Sequence, residues 1–251
     1  MNPKITDWTG RRIWLVGASS GIGAALAHEL ARRGARLAVS ARRADKLRAL
    51  NLDGALQLPC DATDAASLAA ARAGLLAAWG GVDLVIYLAG DYAPMRADGF
   101  DLAAAEQMLA VNFLGAMRLA EAVLADLPAG GGIALVASVA GYRGLPKALA
   151  YGPGKAALIH FAECLYFDLA PKRIGVWLIN PGFVATRLTA KNDFDMPALL
   201  TPVQAALAVV DGFRTGKFEI YFPKRFTVAI KLLSHLPYRW YFPLVRRITG
   251  S

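Results

Sequence analysis

Tyr151 and Lys155, four residues apart, are the pair in this sequence best suited to moving a proton. The spacing predicts both at the start of a helix, one turn apart on the same face. A free phenol titrates near ~10 and is a poor base at neutral pH. An ammonium group beside it favours the phenolate, so Lys155 is expected to bring the Tyr151 pKa down toward a useful range. Gly152-Pro153-Gly154 between them leaves the spacing intact, because proline is tolerated in a helix's first turn. Ser138 lies 13 residues upstream, at the end of a predicted strand, placed to hydrogen-bond a carbonyl or hydroxyl. Asn112 is a polar residue in an otherwise apolar helical face, which suits either a satisfied core amide or a part in the same chemistry. A tyrosine and a lysine at this spacing are common on surface helices, so the pair takes its meaning from its surroundings.

The second group is Gly17-Ala18-Ser19-Ser20-Gly21-Ile22-Gly23, where a predicted first strand gives way to the first long helix. Glycines allow a tight turn and let the backbone approach a pyrophosphate, and the helix N-terminus adds unpaired N–H groups and a favourable dipole. At the end of the second predicted strand, a carboxylate would hold the ribose hydroxyls of NAD(H). The sequence there reads Ser40-Ala41-Arg42-Arg43. A neutral residue followed by two guanidinium groups suits a 2′-phosphate, so NADP(H) is expected in preference to NAD(H). The competing reading makes Arg42 and Arg43 the solvated start of a helix.

These residues must be positioned by a framework, and the framework is legible as an alternation. Short β-prone runs occur at 13–16, 36–40, 55–58, 82–88, 133–138, 175–179 and 218–222; helical stretches occur at 22–33, 45–50, 65–79, 101–127, 151–169 and 202–214. The strands are nearly continuous apolar runs, the pattern of a parallel sheet covered on both faces. The expected fold is α/β: a Rossmann-type doubly wound parallel sheet of about seven strands with helices on both faces, in a single domain over 1–251. Hydrophobic residues make up 56%, enough for a full core, and charged residues only 19%, which sets aside a disordered chain. Arg11-Arg12 before an apolar run could pass for a leader peptide, but Gly17, Gly21 and Gly23 fit strand, turn and helix better. Cys60 and Cys164 form no metal or disulfide motif, and a cytoplasmic location is expected.

In order and spacing these motifs resemble the short-chain dehydrogenase/reductase family over roughly 11–223. Residues 16–23 look like its cofactor fingerprint, with Val16 where the family usually has threonine. The resemblance implies a tetrad of Asn112, Ser138, Tyr151 and Lys155, in which Asn112 ties a water to the lysine and Lys155 also holds the nicotinamide ribose. It implies a dinucleotide held by Gly17, Ser19, Ser20, Gly21, Ile22, Gly23, Arg42 and Arg43. Asp61 and Ala62 would lie at the adenine, Ala89 and Gly90 along the cofactor, and Pro181, Gly182, Val184 and Thr186 at the carboxamide. The family usually has asparagine before the Ala89-Gly90 pair; Tyr87-Leu88 stand there instead, which puts a stabilising hydrogen bond in question. Asp61 also reads as a cap of the next helix, a role open to Thr63 and Asp64 as well. The implied reaction is reversible hydride transfer between nicotinamide and a carbonyl carbon, with Tyr151 as acid/base. A non-catalytic nicotinamide sensor or scaffold is the competing reading, and an intact tetrad argues against it.

The substrate is expected to meet 91–99, 142–149 and 186–200, which carry Tyr92, Met95, Tyr142, Leu145, Phe194, Met196 and Leu199. These suit an apolar carbonyl or alcohol, or simply anchor the loops. Six of the nine net positive charges lie in 224–251, which contains no acid. The body is therefore nearly balanced, and nucleic-acid binding is not expected. The basic, apolar extension suits peripheral membrane contact, with Trp240, Tyr241 and Phe242 as interfacial residues. Equally, it suits packing over the substrate mouth or a subunit interface, and a homo-oligomer is expected.

Overall fold

The computed structural model describes residues 1–250. Seven parallel strands form one sheet in the order β3-β2-β1-β4-β5-β6-β7. They are β1 (Arg12–Val16), β2 (Arg36–Ser40), β3 (Leu56–Gln57), β4 (Leu84–Tyr87), β5 (Gly132–Val136), β6 (Gly175–Pro181) and β7 (Glu219–Phe222). Period-two alternation sends successive side chains to opposite faces. Ile13, Leu15, Leu84, Ile86, Trp177 and Ile179 face one hydrophobic core with α1 (Gly21–Arg32) and α7 (Pro202–Arg214). Trp14, Val85, Tyr87, Val176 and Leu178 face the other, covered by α3 (Ala65–Trp79), α5 (Gly115–Val123) and α6 (Tyr151–Leu169). Helices on both faces are what continuous apolar strands require. A short α2 (Ala44–Arg48) connects β2 to β3. Arg12 of the suspected leader opens β1 and pairs with Asp83 at 2.7 Å, so that segment is part of the sheet.

The predicted helix over 101–127 is α4 (Leu102–Leu109), a π turn (Ala110–Leu114) and α5 in succession. By length and composition alone the stretch Leu102–Asp126 could cross a membrane. Here it packs on the domain through Met108, Ala116, Leu119 and Val123, all nearly inaccessible to solvent. The segment after β7 forms two further helices, α8 (Lys224–Ser234) and α9 (Tyr238–Thr249).

The chain runs from β1 outward to β3, then returns so that β4 pairs with the other side of β1. Beyond the carboxyl ends of those two strands the connections diverge and leave a crevice, the usual ligand position in this architecture.

Candidate active site

The crevice is a cleft of about 640 Å³. Its floor is the glycine turn after β1. A side chain on Gly17 would lie 2.3 Å from the Ala89 nitrogen, so the ends of β1 and β4 meet there only because position 17 has none. The Gly17 and Ala18 N–H groups donate to the Ser40 carbonyl at 2.8 and 3.1 Å, which fastens the turn to β2. Ser20 caps α1 in extended backbone without using its side chain on the helix. The first-turn N–H groups of α1 therefore lack that partner, and an anion is the natural one.

Arg42 and Arg43 stand exposed at the rim of the cleft and form no ion pair among the described residues. Asp61 faces the same cleft, while the cap of α3 is Asp64, which accepts from the Ala66 N–H at 2.9 Å. Burial raises the Asp61 pKa, but bonds from the Thr63 N–H and hydroxyl and the charge of Arg42 outweigh that and hold it below the usual carboxylate range. Ala62, Ala89, Gly90, Pro181, Gly182, Val184 and Thr186 line the cleft. Thr189 went unnoticed in the sequence and knots this last loop: its hydroxyl donates to the Val184 carbonyl at 2.6 Å and accepts from the Thr186 N–H at 2.9 Å.

Tyr151 and Lys155 open α6 and both face the cleft, with Ser138 at the end of the segment after β5. Ser138 caps a 3-10 turn, its hydroxyl accepting from the Ala140 N–H at 3.1 Å, and it also acts on the Tyr151 phenol as a hydrogen-bonding neighbour. The Lys155 ammonium lies 5.7 Å from the centre of the Tyr151 ring and donates one of its three N–H groups to the Val136 carbonyl at 2.9 Å. In the protein alone, removal from water dominates both groups. It pushes the phenol up to about 12 against a lowering by Ser138, and pulls the lysine down to about 7. Burial disfavours the charged form of each, so in the protein alone the lowering expected from Lys155 does not prevail and the phenol stays protonated.

Asn112 sits in the π turn, wholly buried. Its amide is committed to one residue, donating to the Asp91 carbonyl at 2.8 Å and accepting from the Asp91 N–H at 3.0 Å. These two bonds leave one amide N–H and one carbonyl lone pair of Asn112 unused. Tyr87 answers the question of the missing asparagine. Its hydroxyl donates to the Val111 carbonyl at 2.5 Å, inside the π turn, in a space that a side chain on Gly115 would fill, its Cβ 2.2 Å from that oxygen. The phenol thus satisfies a part-buried carbonyl next to Asn112. Tyr87→Phe should lower stability by about 1 kcal/mol in urea unfolding, the cost of the lost hydrogen bond. An unchanged midpoint would contradict this role for the hydroxyl.

The three loops predicted to meet the substrate are tied together beside Tyr151. The Tyr92 ring packs edge-on to Tyr151 at 5.0 Å and its hydroxyl donates to Asn192 at 2.8 Å. Met95 donates to the Lys147 carbonyl at 2.9 Å, and Lys147 pairs with Asp193. Tyr142 is different. Its hydroxyl donates to Glu219, which also accepts from Asn180 at 2.7 Å and from Lys231, so Tyr142 belongs to a network with β7 and α8 rather than to the substrate wall.

Fold and cleft together define an α/β protein of the dinucleotide-binding class. A family model described as short chain dehydrogenase matches residues 11–196. An "uncharacterized oxidoreductase" of Myxococcus xanthus is 35% identical over 97% of this chain and 100% of its own length. A short-chain dehydrogenase/reductase variant from Serratia marcescens shares 26% identity, covers 85% of this chain and 95% of its own, and superposes with a TM-score of 0.76. A Burkholderia cenocepacia short chain dehydrogenase, solved in complex with NADP, has a TM-score of 0.82 at 24% identity, over 92% of this chain and 95% of its own. The chain belongs to the short-chain dehydrogenase family of oxidoreductases, which bind a nicotinamide dinucleotide.

Proposed function

We propose that this protein is an NADP(H)-dependent oxidoreductase that interconverts a carbonyl and an alcohol on an apolar, lipid-like substrate. The observation that carries the reading is the convergence of Tyr151, Ser138 and Lys155 in the cleft whose floor is the glycine turn. The residues present fit the dinucleotide: open N–H groups at α1, a side-chain-free approach at Gly17, and two unpaired guanidinium groups at the rim. The glycine turn would hold the pyrophosphate, Arg42 and Arg43 the 2′-phosphate, and the loop of Pro181, Gly182, Val184 and Thr186 the carboxamide. The bound cofactor supplies or accepts a hydride.

Ser138 orients the substrate oxygen, and Tyr151 gives it a proton in reduction or takes one in oxidation. With its pKa near 12 in the free protein, the phenol is loaded as an acid throughout the neutral range. Lys155, with two donors left over, holds the ribose and lowers the cost of charge on the phenol. Leu145 and the half-exposed Leu149, Phe194 and Leu199 supply apolar surface on the loops tied beside Tyr151, which favours a substrate with little polarity.

A screen of fatty, steroidal and aromatic ketones, following NADPH absorbance and alcohol formed, tests the reaction. Stoichiometric loss of both NADPH and ketone is expected; NADPH binding without turnover across the panel would favour a sensor. Arg42→Ala tests the cofactor. Losing a charge-assisted bond to phosphate should raise the KM for NADPH by about tenfold or more and leave that for NADH nearly unchanged. Equal effects on the two would exclude Arg42 from the 2′-phosphate.

A further inference from the structure

We propose that α8 and α9 dock the protein on an anionic lipid surface, through a ridge of apolar side chains flanked by unpaired cations. Val228 and Leu232 on α8, and Trp240, Leu244 and Ile248 on α9, recur at four-residue spacing, with Leu236 in the turn between the two helices. Residues four apart stack on one helical face. Leu232, Trp240 and Ile248 are 68%, 61% and 66% exposed, a large outlay of apolar surface for a water-facing helix pair. Leu236, Trp240, Pro243 and Leu244 share a shallow, open groove with Arg247. The opposite sides of the helices are used up against the domain, α8 through Thr227 and α9 through Tyr241 and Val245, all buried.

Charge identifies what covers the ridge. Lys224, Arg225, Arg239, Arg246 and Arg247 are exposed, and none forms an ion pair among the described residues. No acid occurs from 224 to the end of the sequence. A second copy seated on the same face would bring these cations against each other with nothing in the segment to neutralise them. A nucleic acid would meet the cations but leave the ridge without a partner. An anionic bilayer satisfies both, since headgroups meet the arginines while Trp240, Leu232 and Ile248 enter the acyl boundary.

The docking helices are also fastened to the segment that leads from Ser138 to α6. The Arg143 guanidinium lies over the rings of Tyr238 and Tyr241, at 4.4 and 4.2 Å, and donates to the carbonyls of Ser234, at 2.7 Å, and Leu236. Tyr241 in turn donates to the Gly144 carbonyl at 2.7 Å. The loop at 145–149 thus follows directly from a segment clamped to α8 and α9. Docking does not depend on the reaction, so its failure and that of the oxidoreductase reading are separable.

The test is flotation of the full-length protein with vesicles of phosphatidylcholine alone and of phosphatidylcholine with phosphatidylglycerol. Three variants are compared with wild type: Trp240→Ser combined with Leu244→Ser, Arg246→Glu combined with Arg247→Glu, and Leu102→Ser as an apolar surface control elsewhere. Wild type and Leu102→Ser should float with the anionic vesicles and dissociate in high salt. The serine pair and the charge reversal should each weaken binding by about tenfold or more. NADPH binding by both should stay within about twofold of wild type, which shows that they fold. Flotation equal on the two vesicle types, unaffected by the variants, or absent altogether would overturn the proposal. So would a dimer in light scattering that the serine pair abolishes while wild type ignores vesicles, which would give the face to a second copy.

Discussion

Tyr151→Phe should abolish turnover, by about 10³-fold or more in kcat, while NADPH binds within about twofold of wild type. The substitution removes one oxygen. The ring keeps its edge contact with Tyr92, and Ser138 keeps the Ala140 N–H, so neither the loop wall nor the 3-10 turn loses its support. What disappears is the proton the substrate oxygen receives. Removing a positioned acid normally costs about 10²–10⁴-fold in rate. The Ser138 hydroxyl is too weak an acid to stand in. The check is kcat with the best ketone from the screen, alongside NADPH fluorescence titration. Residual activity within about tenfold of wild type would remove Tyr151 from the proton path.

Lys155→Met should lose activity and gain stability. Lys155 is only 3% exposed, and removal from water takes its pKa from 10.5 to about 7. The folded chain therefore binds fewer protons than the unfolded chain between those values, and its stability rises with pH across that window. At pH 7 the buried lysine costs the fold about 4 kcal/mol. Methionine of similar length removes that cost and leaves the Val136 carbonyl without its donor, which returns about 1 kcal/mol. Without added nucleotide, the variant should melt about 5 °C or more above wild type at pH 7. The advantage should shrink toward pH 10, where the wild-type lysine is neutral when folded. A variant less stable than wild type at every pH would show that Lys155 braces the fold instead. Such a cost is tolerated where a charge is needed for function, in keeping with a lysine kept for the reaction.

The sheet was legible because parallel strands covered on both faces read as apolar runs; β6 and the start of α6 at Tyr151 fall where the pattern puts them. In the structure α7 starts by local chemistry, Thr201 and Gln204 closing a capping box with Pro202 in the first turn. What the sequence hid depends on distant partners or on burial. The hydroxyl of Tyr87 finds its acceptor 24 residues on, in a π turn that no periodicity announces. Tyr142 looked like a substrate contact until Glu219, 77 residues away, took its hydroxyl. Spacing placed Lys155 beside Tyr151 but could not give the depth at which both lie, and depth sets the direction of both pKa shifts. The segment 224–249 resolves into two helices because Tyr241 and Val245 bury one side of α9, with Tyr241 also bonded to the Gly144 carbonyl.

The central claim is hydride transfer from the bound nicotinamide to a carbonyl carbon. Incubating wild-type protein with an active ketone and NADPH deuterated at C4 on either face, followed by mass spectrometry of the alcohol, reads this directly. One labelled face should deliver a single deuterium to the carbinol carbon and the other none, and Tyr151→Phe should form negligible alcohol. Alcohol free of deuterium from both labelled cofactors, or labelled equally from each, would contradict the account.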